Sequence, residues 1–306
     1  MASKTVYSSF NPMRLFAQSN LPTQEHTSTA HSHAHERLSS RYGPWAVVTG
    51  ASSGIGREMA LQLASAGLNL VLVARSQSVL QEMASDFATR FGIETLVLTI
   101  DLAQETAIGR VEAETDDLDV GLLIAAAGFG TSGLFLNTSL DEELDMLNVN
   151  CRALIAHSLH FGQRFAQRGR GGIVLMSSIV GFQGLPNAAH YAATKAYVHA
   201  LAEALNVELA PQGVDVLASA PGPTASGFAD RAGMRMGATL KPADVAQETL
   251  DALGRRAVVL PGFLSKFLTY SLAPLPRSAR VHIMGRVMHG MTKHQHTEQQ
   301  PHLNKQ

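Results

Sequence analysis

Trp45-Ala46-Val47-Val48-Thr49-Gly50-Ala51-Ser52-Ser53-Gly54-Ile55-Gly56 joins a continuously apolar run to a loop punctuated by three glycines. The run predicts a strand. The residues that follow, Gly56 to Ala66, carry Met59, Leu61 and Leu63 among small side chains and predict a helix. A tight strand-to-helix turn needs glycine, where φ can be positive and no Cβ stands between the backbone and a ligand. The helix start then presents free N–H groups and the positive end of its dipole, a setting that suits a pyrophosphate. A lone glycine loop is a weak signal. One placed between the first strand and the first helix of a β/α series is a dinucleotide-binding signal.

Outward from the loop the alternation repeats. Apolar runs at Asn69–Ala74, Glu94–Ile100, Gly121–Ala126, Gly172–Ser177, Val214–Ser219 and Ala257–Leu260 are near-continuous rather than alternating, as strands covered on both faces require. Between them, Ser78 to Phe91 places Leu80, Met83 and Phe87 on one helical stripe. Gly67 and Gly92 stand where helix C-caps belong. Ser139 ahead of Leu140-Asp141-Glu142 and Lys241 ahead of Pro242 mark two further helix starts. The pattern predicts an α/β fold, a doubly wound parallel sheet of seven strands with helices on both faces, in a single domain.

Composition bounds the alternatives. Hydrophobic residues make up 45% and charged residues 16% of 306, enough for a full core. Twenty-four basic against 25 acidic residues give a net charge of -1, so nothing draws the chain toward nucleic acid. The single cysteine, Cys151, excludes an internal disulfide framework and suits a reducing compartment. No apolar stretch is long enough to span a bilayer. Residues 1–43 are rich in Ser, Thr and His with only Glu25 and Glu36 acidic, and read as a disordered extension rather than a secretory signal, with organelle targeting the lesser alternative. The core domain is expected over 44–262, and 263–306 as a basic amphipathic extension with a disordered end. Eight basic residues and one acid follow Ala252. Such a segment either packs on its own domain or a partner subunit, the stronger reading, or makes peripheral contact with a membrane. The expected location is cytoplasmic. Histidines 31, 33, 35, 289, 294 and 296 lie in these ends without a fixed acid or cysteine partner, so no metal site is expected.

Two signals sharpen the chemistry. Where NAD-binding folds carry an acid for the ribose 2′-hydroxyl, this chain has Val73-Ala74-Arg75-Ser76; an arginine there suits a 2′-phosphate and favours NADP(H). Tyr191 and Lys195, four apart in an alanine-rich helix, lie on one face, and a nearby ammonium is expected to lower the phenol's pKa from near 10. Ser177-Ser178 ends a strand thirteen residues before Tyr191, on the rim that holds the glycine loop.

With Thr49-Gly50, Gly54, Gly56, Asp101, Ser178, Tyr191, Lys195 and Pro221-Gly222-Pro223-Thr224 together, the sequence resembles the compact branch of the short-chain dehydrogenase/reductase family, from about residue 43 to 260. The resemblance implies a Rossmann-like fold and hydride transfer between NADP(H) and a carbonyl or alcohol. It also implies a catalytic tetrad of Asn150, Ser178, Tyr191 and Lys195: Ser178 holds the substrate oxygen and Tyr191 exchanges the proton. Lys195 binds the nicotinamide ribose, and Asn150 (or Asn148, which competes by sequence alone) holds a proton-relaying water. The implied cofactor residues are Gly50, Ser52, Ser53, Gly54, Ile55 and Gly56 in the loop, and Arg75 at the ribose. Asp101 and Leu102 would meet the adenine, Ala126, Ala127 and Gly128 the backbone approach, Tyr191 and Lys195 the ribose, and Pro221, Gly222 and Thr224 the nicotinamide. One departure stands out: Ala125-Ala126-Ala127-Gly128 replaces the family's Asn-Asn-Ala-Gly. The lost amides remove bracing hydrogen bonds worth roughly 0.5–1.5 kcal/mol each. Residues 225–240 read as a lid, with Phe129, Phe182 and Leu185 on the same rim, so a hydrophobic ketone or aldehyde is the expected substrate. The competing readings are a catalytically weak nucleotide-binding regulator or scaffold of the same fold, and isomerisation on the same cofactor. A homo-oligomer paired through the helices of Asn150 and Tyr191 is a further expectation.

Overall fold

The computed structural model describes residues 34–299. Strands β1 (Trp45–Thr49), β2 (Asn69–Ala74), β3 (Thr95–Thr99), β4 (Val120–Ala125), β5 (Gly171–Met176), β6 (Val214–Ser219) and β7 (Val258–Val259) form one parallel sheet in the order β3-β2-β1-β4-β5-β6-β7. Each strand coincides with an apolar run of the sequence, within one or two residues at either end. The order reverses between β1 and β4, and ligands of open α/β sheets bind in the crevice beyond the strand ends at such a reversal. β4 and β5 are buried along their whole length.

Helices cover both faces. α1 spans 34–42. α2 (Gly54–Ser65), α3 (Gln77–Phe91) and α9 (Pro242–Ala252) accompany a core built on Val48, Leu70, Leu72 and Leu122. α4 (Ala107–Thr115), α6 (Leu154–Arg168) and α7 (Ala189–Leu209) accompany the other, built on Val47, Val71, Leu123 and Ile173. α5 (Leu140–Leu147) runs into α6 through a π-turn at Asn148–Ala153. Gly92 caps α3 at φ 68, the left-handed conformation a non-glycine residue resists.

The ends depart from expectation. Residues 34–42, read as part of a disordered extension, are helical and docked; residues 1–33 lie outside the described residues. Arg37 donates to the carbonyls of Leu250 and Leu253 at 2.8 and 2.7 Å, and Arg41 and Tyr42 both donate to Asp215, at 2.6 and 2.7 Å. Leu38 and Tyr42 are buried. Few apolar residues marked this helix in the sequence, because its arginines fasten it to carbonyls and a carboxylate that only the fold supplies. The C-terminal segment is likewise part of the domain, as α10 (Gly262–Leu272) and α11 (Arg277–Gln299). α11 buries Met284, Met288 and Thr292, which favours the self-packing reading of this segment. Among the described residues no helix is long and apolar enough to cross a membrane.

Candidate active site

A cavity of about 530 Å³ opens at the carboxyl ends of the strands. One half is the glycine loop. Gly50 sits at φ 69, and a Cβ on it would lie 2.8 Å from the backbone of Ala127; Gly56 packs against the Gly50 carbonyl. The loop therefore runs flush with the end of β4, as a backbone that receives a phosphate must. Ser53 is the N-cap of α2 without a side-chain cap, and no acid occupies that first turn, so the cavity-lining start of the helix keeps its N–H groups uncapped. Arg75, Asp101 and Leu102 line the same wall. Asp101 also accepts a hydrogen bond from the Ala103 N–H at 3.1 Å, which fixes its turn. The alanines at 125–127 leave their strand end braced by Thr49, whose hydroxyl donates to the Ile124 carbonyl (3.4 Å) and accepts from the Ala127 N–H (3.1 Å). These residues fit a dinucleotide: the cradle is one that Cβ atoms would fill, and a cation stands beside it.

The other half holds the tetrad candidates. Ser178, Tyr191 and Lys195 line the cavity, as do Ser52, Ser53, Gly54, Ile55, Ala126, Ala127, Gly128, Pro221, Gly222 and Thr224. Burial raises the Tyr191 phenol well above its ordinary pKa, and a hydrogen bond with Ser178 opposes this in part. The expected lowering by Lys195 is not what the structure gives. The Lys195 Nζ donates to the Met176 carbonyl at 2.7 Å and sits 5.8 Å from the centre of the tyrosine ring. Burial lowers Lys195 to about 8, so it keeps most of its charge at neutral pH. Tyr191 is thus a neutral hydroxyl, in the protonation state of a donor.

Asn150 lies behind the cavity wall rather than in it. Its Oδ1 accepts from the Phe129 N–H (3.1 Å), and its Nδ2 donates to the Phe129 carbonyl (2.9 Å) and Thr194 Oγ1 (3.1 Å). The π-turn aims this side chain at the loop after β4, a common use of such turns near functional sites. Asn150, not Asn148, is the buried one. Its side chain positions Gly128-Phe129.

Several residues here escaped the sequence reading. Glu143, buried on α5, accepts from Thr131 at 2.8 Å and pairs with His190 Nδ1 at 2.5 Å, tying the loop after β4 to the first turn of α7 beside Tyr191. In that loop Gly130 presses bare backbone against the rings of Tyr191 and the lid residue Phe228; a Cβ would come within 2.9 and 2.8 Å of them. The lid carries a short helix α8 (Phe228–Arg231) and is closed at its base, where Ala225 N–H donates to Leu240 and Leu240 N–H to Pro223, each at 2.8 Å. Its far side is tied to α11 by Arg235 N–H on the Met291 carbonyl at 3.0 Å. Met234, Met236, Met284, Met288 and Met291 line the apolar end of the cavity with Leu185 and Phe129. Phe182, expected on this rim, instead packs its ring on His199 with centroids 4.5 Å apart, outside the cavity. Among the described residues no group of three potential metal ligands occurs.

Known proteins share this architecture. A family profile for short chain dehydrogenase matches residues 44–235. A 7beta-hydroxysteroid dehydrogenase of Clostridium sardiniense is 31% identical over 230 residues, covering 74% of this chain and 88% of that one. A very-long-chain 3-oxoacyl-CoA reductase of Phaeosphaeria nodorum is 38% identical over 180 residues; the match covers 57% of this chain and 53% of that one, so this chain spans about half of that relative's length. A solved structure of a short-chain dehydrogenase from Sphingobium yanoikuyae in complex with NADPH superimposes with a TM-score of 0.70 at 31% identity, covering 79% of this chain and 95% of that one. With the family profile spanning well over half of the residues and the glycine loop, Ser178, Tyr191 and Lys195 gathered on one cavity, the chain belongs to the short-chain dehydrogenase/reductase family of oxidoreductases.

Proposed function

We propose that this chain is an NADPH-dependent reductase of hydrophobic ketones or aldehydes, able to run in the alcohol-oxidising direction when the ratio of reactants favours it. The observation that carries this reading is the neutral, buried Tyr191 hydroxyl with Ser178 beside it, at the junction between a glycine cradle and a methionine-rich apolar chamber. When bound, the dinucleotide supplies the hydride. Ser178 holds the substrate oxygen, and Tyr191 Oη gives that oxygen its proton as negative charge develops on it. Lys195, anchored on the Met176 carbonyl, presents a cation to the cofactor ribose and to the phenol once the proton has left. Asn150 holds Phe129 in place and would keep a relay water near Lys195. Arg75 is the 2′-phosphate residue, and Arg75→Ala is expected to weaken NADPH binding by about tenfold or more while changing NADH binding little. Thr49 braces the strand end that carries the alanines at 125–127, which supports turnover over the binding-only alternative.

Two accessory contacts belong with this reading. Leu140, Leu144 and Leu147 form an exposed row on α5, suited to pairing with a second copy of the chain. Phe263, Phe267 and Tyr270 form an exposed aromatic row on α10, the element left to make any membrane contact now that α11 packs on the domain. The test of the function is a carbonyl panel followed by NADPH consumption. Turnover of bulky apolar ketones is expected, with slow turnover of small polar ones. NADPH binding without turnover of any carbonyl or alcohol would overturn it.

A further inference from the structure

The lid carries an arginine with no partner that accounts for it. Arg231, at the end of α8, lines the cavity together with Arg75, and its guanidinium lies 3.7 Å from the centre of the Phe129 ring. Among the described residues neither arginine's guanidinium forms a salt bridge or donates a hydrogen bond to another residue. Of the charges around Arg231, that of Arg75 acts on it more strongly than Asp101, Glu142 or Asp145. Two cations therefore line one opening, and the strongest single charge acting on Arg231 is repulsive. That arrangement calls for an anion between them.

The ring contact says how the anion would be held. The Phe129 ring, this close, covers one side of the guanidinium. The N–H groups point from its edge, free for the paired bonds that arginine makes to phosphate oxygens. Phe129 is itself fixed by Asn150, through both its N–H and its carbonyl. Ser132, three residues on, donates to the Ala232 carbonyl at 2.5 Å, which ties the loop after β4 to the end of α8.

We propose that Arg231 is a second phosphate-binding residue for the dinucleotide, contributed by the lid, so that cofactor binding and lid closure are one event. This rests on the reading of the glycine cradle as a dinucleotide site. The phosphate is either the 2′-phosphate shared with Arg75 or the pyrophosphate. Substrate would then meet a closed chamber only when cofactor is already present, because the same lid supplies Phe228, Met234 and Met236 to the apolar end.

The test measures NADPH and NADH dissociation constants for the wild type, Arg231→Leu and Arg231→Lys, with hydrogen exchange of the amides at 228–240. Wild type is expected to bind NADPH and slow those amides on binding. Arg231→Leu should lose about tenfold in NADPH affinity, the scale of one charge-assisted hydrogen-bonded contact, and should lose the slowing. Arg231→Lys, which keeps the charge without the planar fork, should fall between. Loss for NADPH alone assigns the 2′-phosphate; equal loss for NADH assigns the pyrophosphate; both support the inference. NADPH affinity within twofold of wild type in a folded Arg231→Leu protein overturns it while the cofactor reading stands. A wild type that binds neither dinucleotide overturns that reading and the inference with it.

Discussion

At Gly50 a single hydrogen atom in place of a side chain decides whether the cofactor cradle can exist. Its φ of 69 and the closeness of Ala127 leave no room for Cβ. Gly50→Ala is expected to cost about 1–3 kcal/mol of stability through strain and displacement, and to weaken NADPH binding more than tenfold; thermal melts and titration check both. His157 offers a separate test away from the site. Buried on α6, it is lowered from 6.5 to about 4, first by burial and then by His160. The folded chain keeps it neutral where the unfolded chain takes up a proton. Its contribution is thus full above pH 6.5 and lost as pH falls toward 4, up to roughly 3 kcal/mol. The stability difference between wild type and His157→Gln should shrink by that amount over the same window, and a difference independent of pH would contradict it. Tyr191, Lys195 and Ser178 were legible in the sequence because their spacing and strand-end positions are local. Arg231 and Glu143 were not, since what gives them meaning is a ring or an imidazole brought in from distant segments. The error about Tyr191 had the same origin: the helical spacing to Lys195 was right, but the ammonium bonds the end of β5.

Elements were legible in proportion to how much apolar surface they bury. Seven strands stood out because both faces of the sheet are covered. α11 did not, because its buried Met284 and Met288 are interspersed with glycines and histidines, and the stripe they form makes sense only against the cavity. That helix walls the apolar chamber, so the proposed function expects its side chains to limit the size of substrate. Met288→Trp would fill the chamber. It should reduce kcat/KM for bulky ketones by more than about tenfold and leave a small ketone within threefold, since apolar pockets discriminate chiefly by size. An equal loss for both would mean that α11 supports the fold without shaping the pocket.

Over the whole molecule, the two ends of the sheet have different tasks. The carboxyl ends carry the cavity; the amino ends carry the clasp made by α1, where Tyr42 lies against Gly121 and Gly172. Asp215, which receives both Arg41 and Tyr42, joins this helix to β6. Asp215→Ala should lower the melting temperature by several degrees, from about 1–3 kcal/mol, with turnover per folded molecule unchanged. A loss of turnover without a loss of stability would tie the clasp to the site instead. The central claim, that Tyr191 donates the proton in a hydride-transfer reaction, is tested most directly by Tyr191→Phe, with NADPH binding and carbonyl turnover measured on the same preparation. The account predicts a fall in kcat of about a hundredfold to ten-thousandfold with NADPH affinity within threefold of wild type. Wild-type turnover in that variant would contradict it.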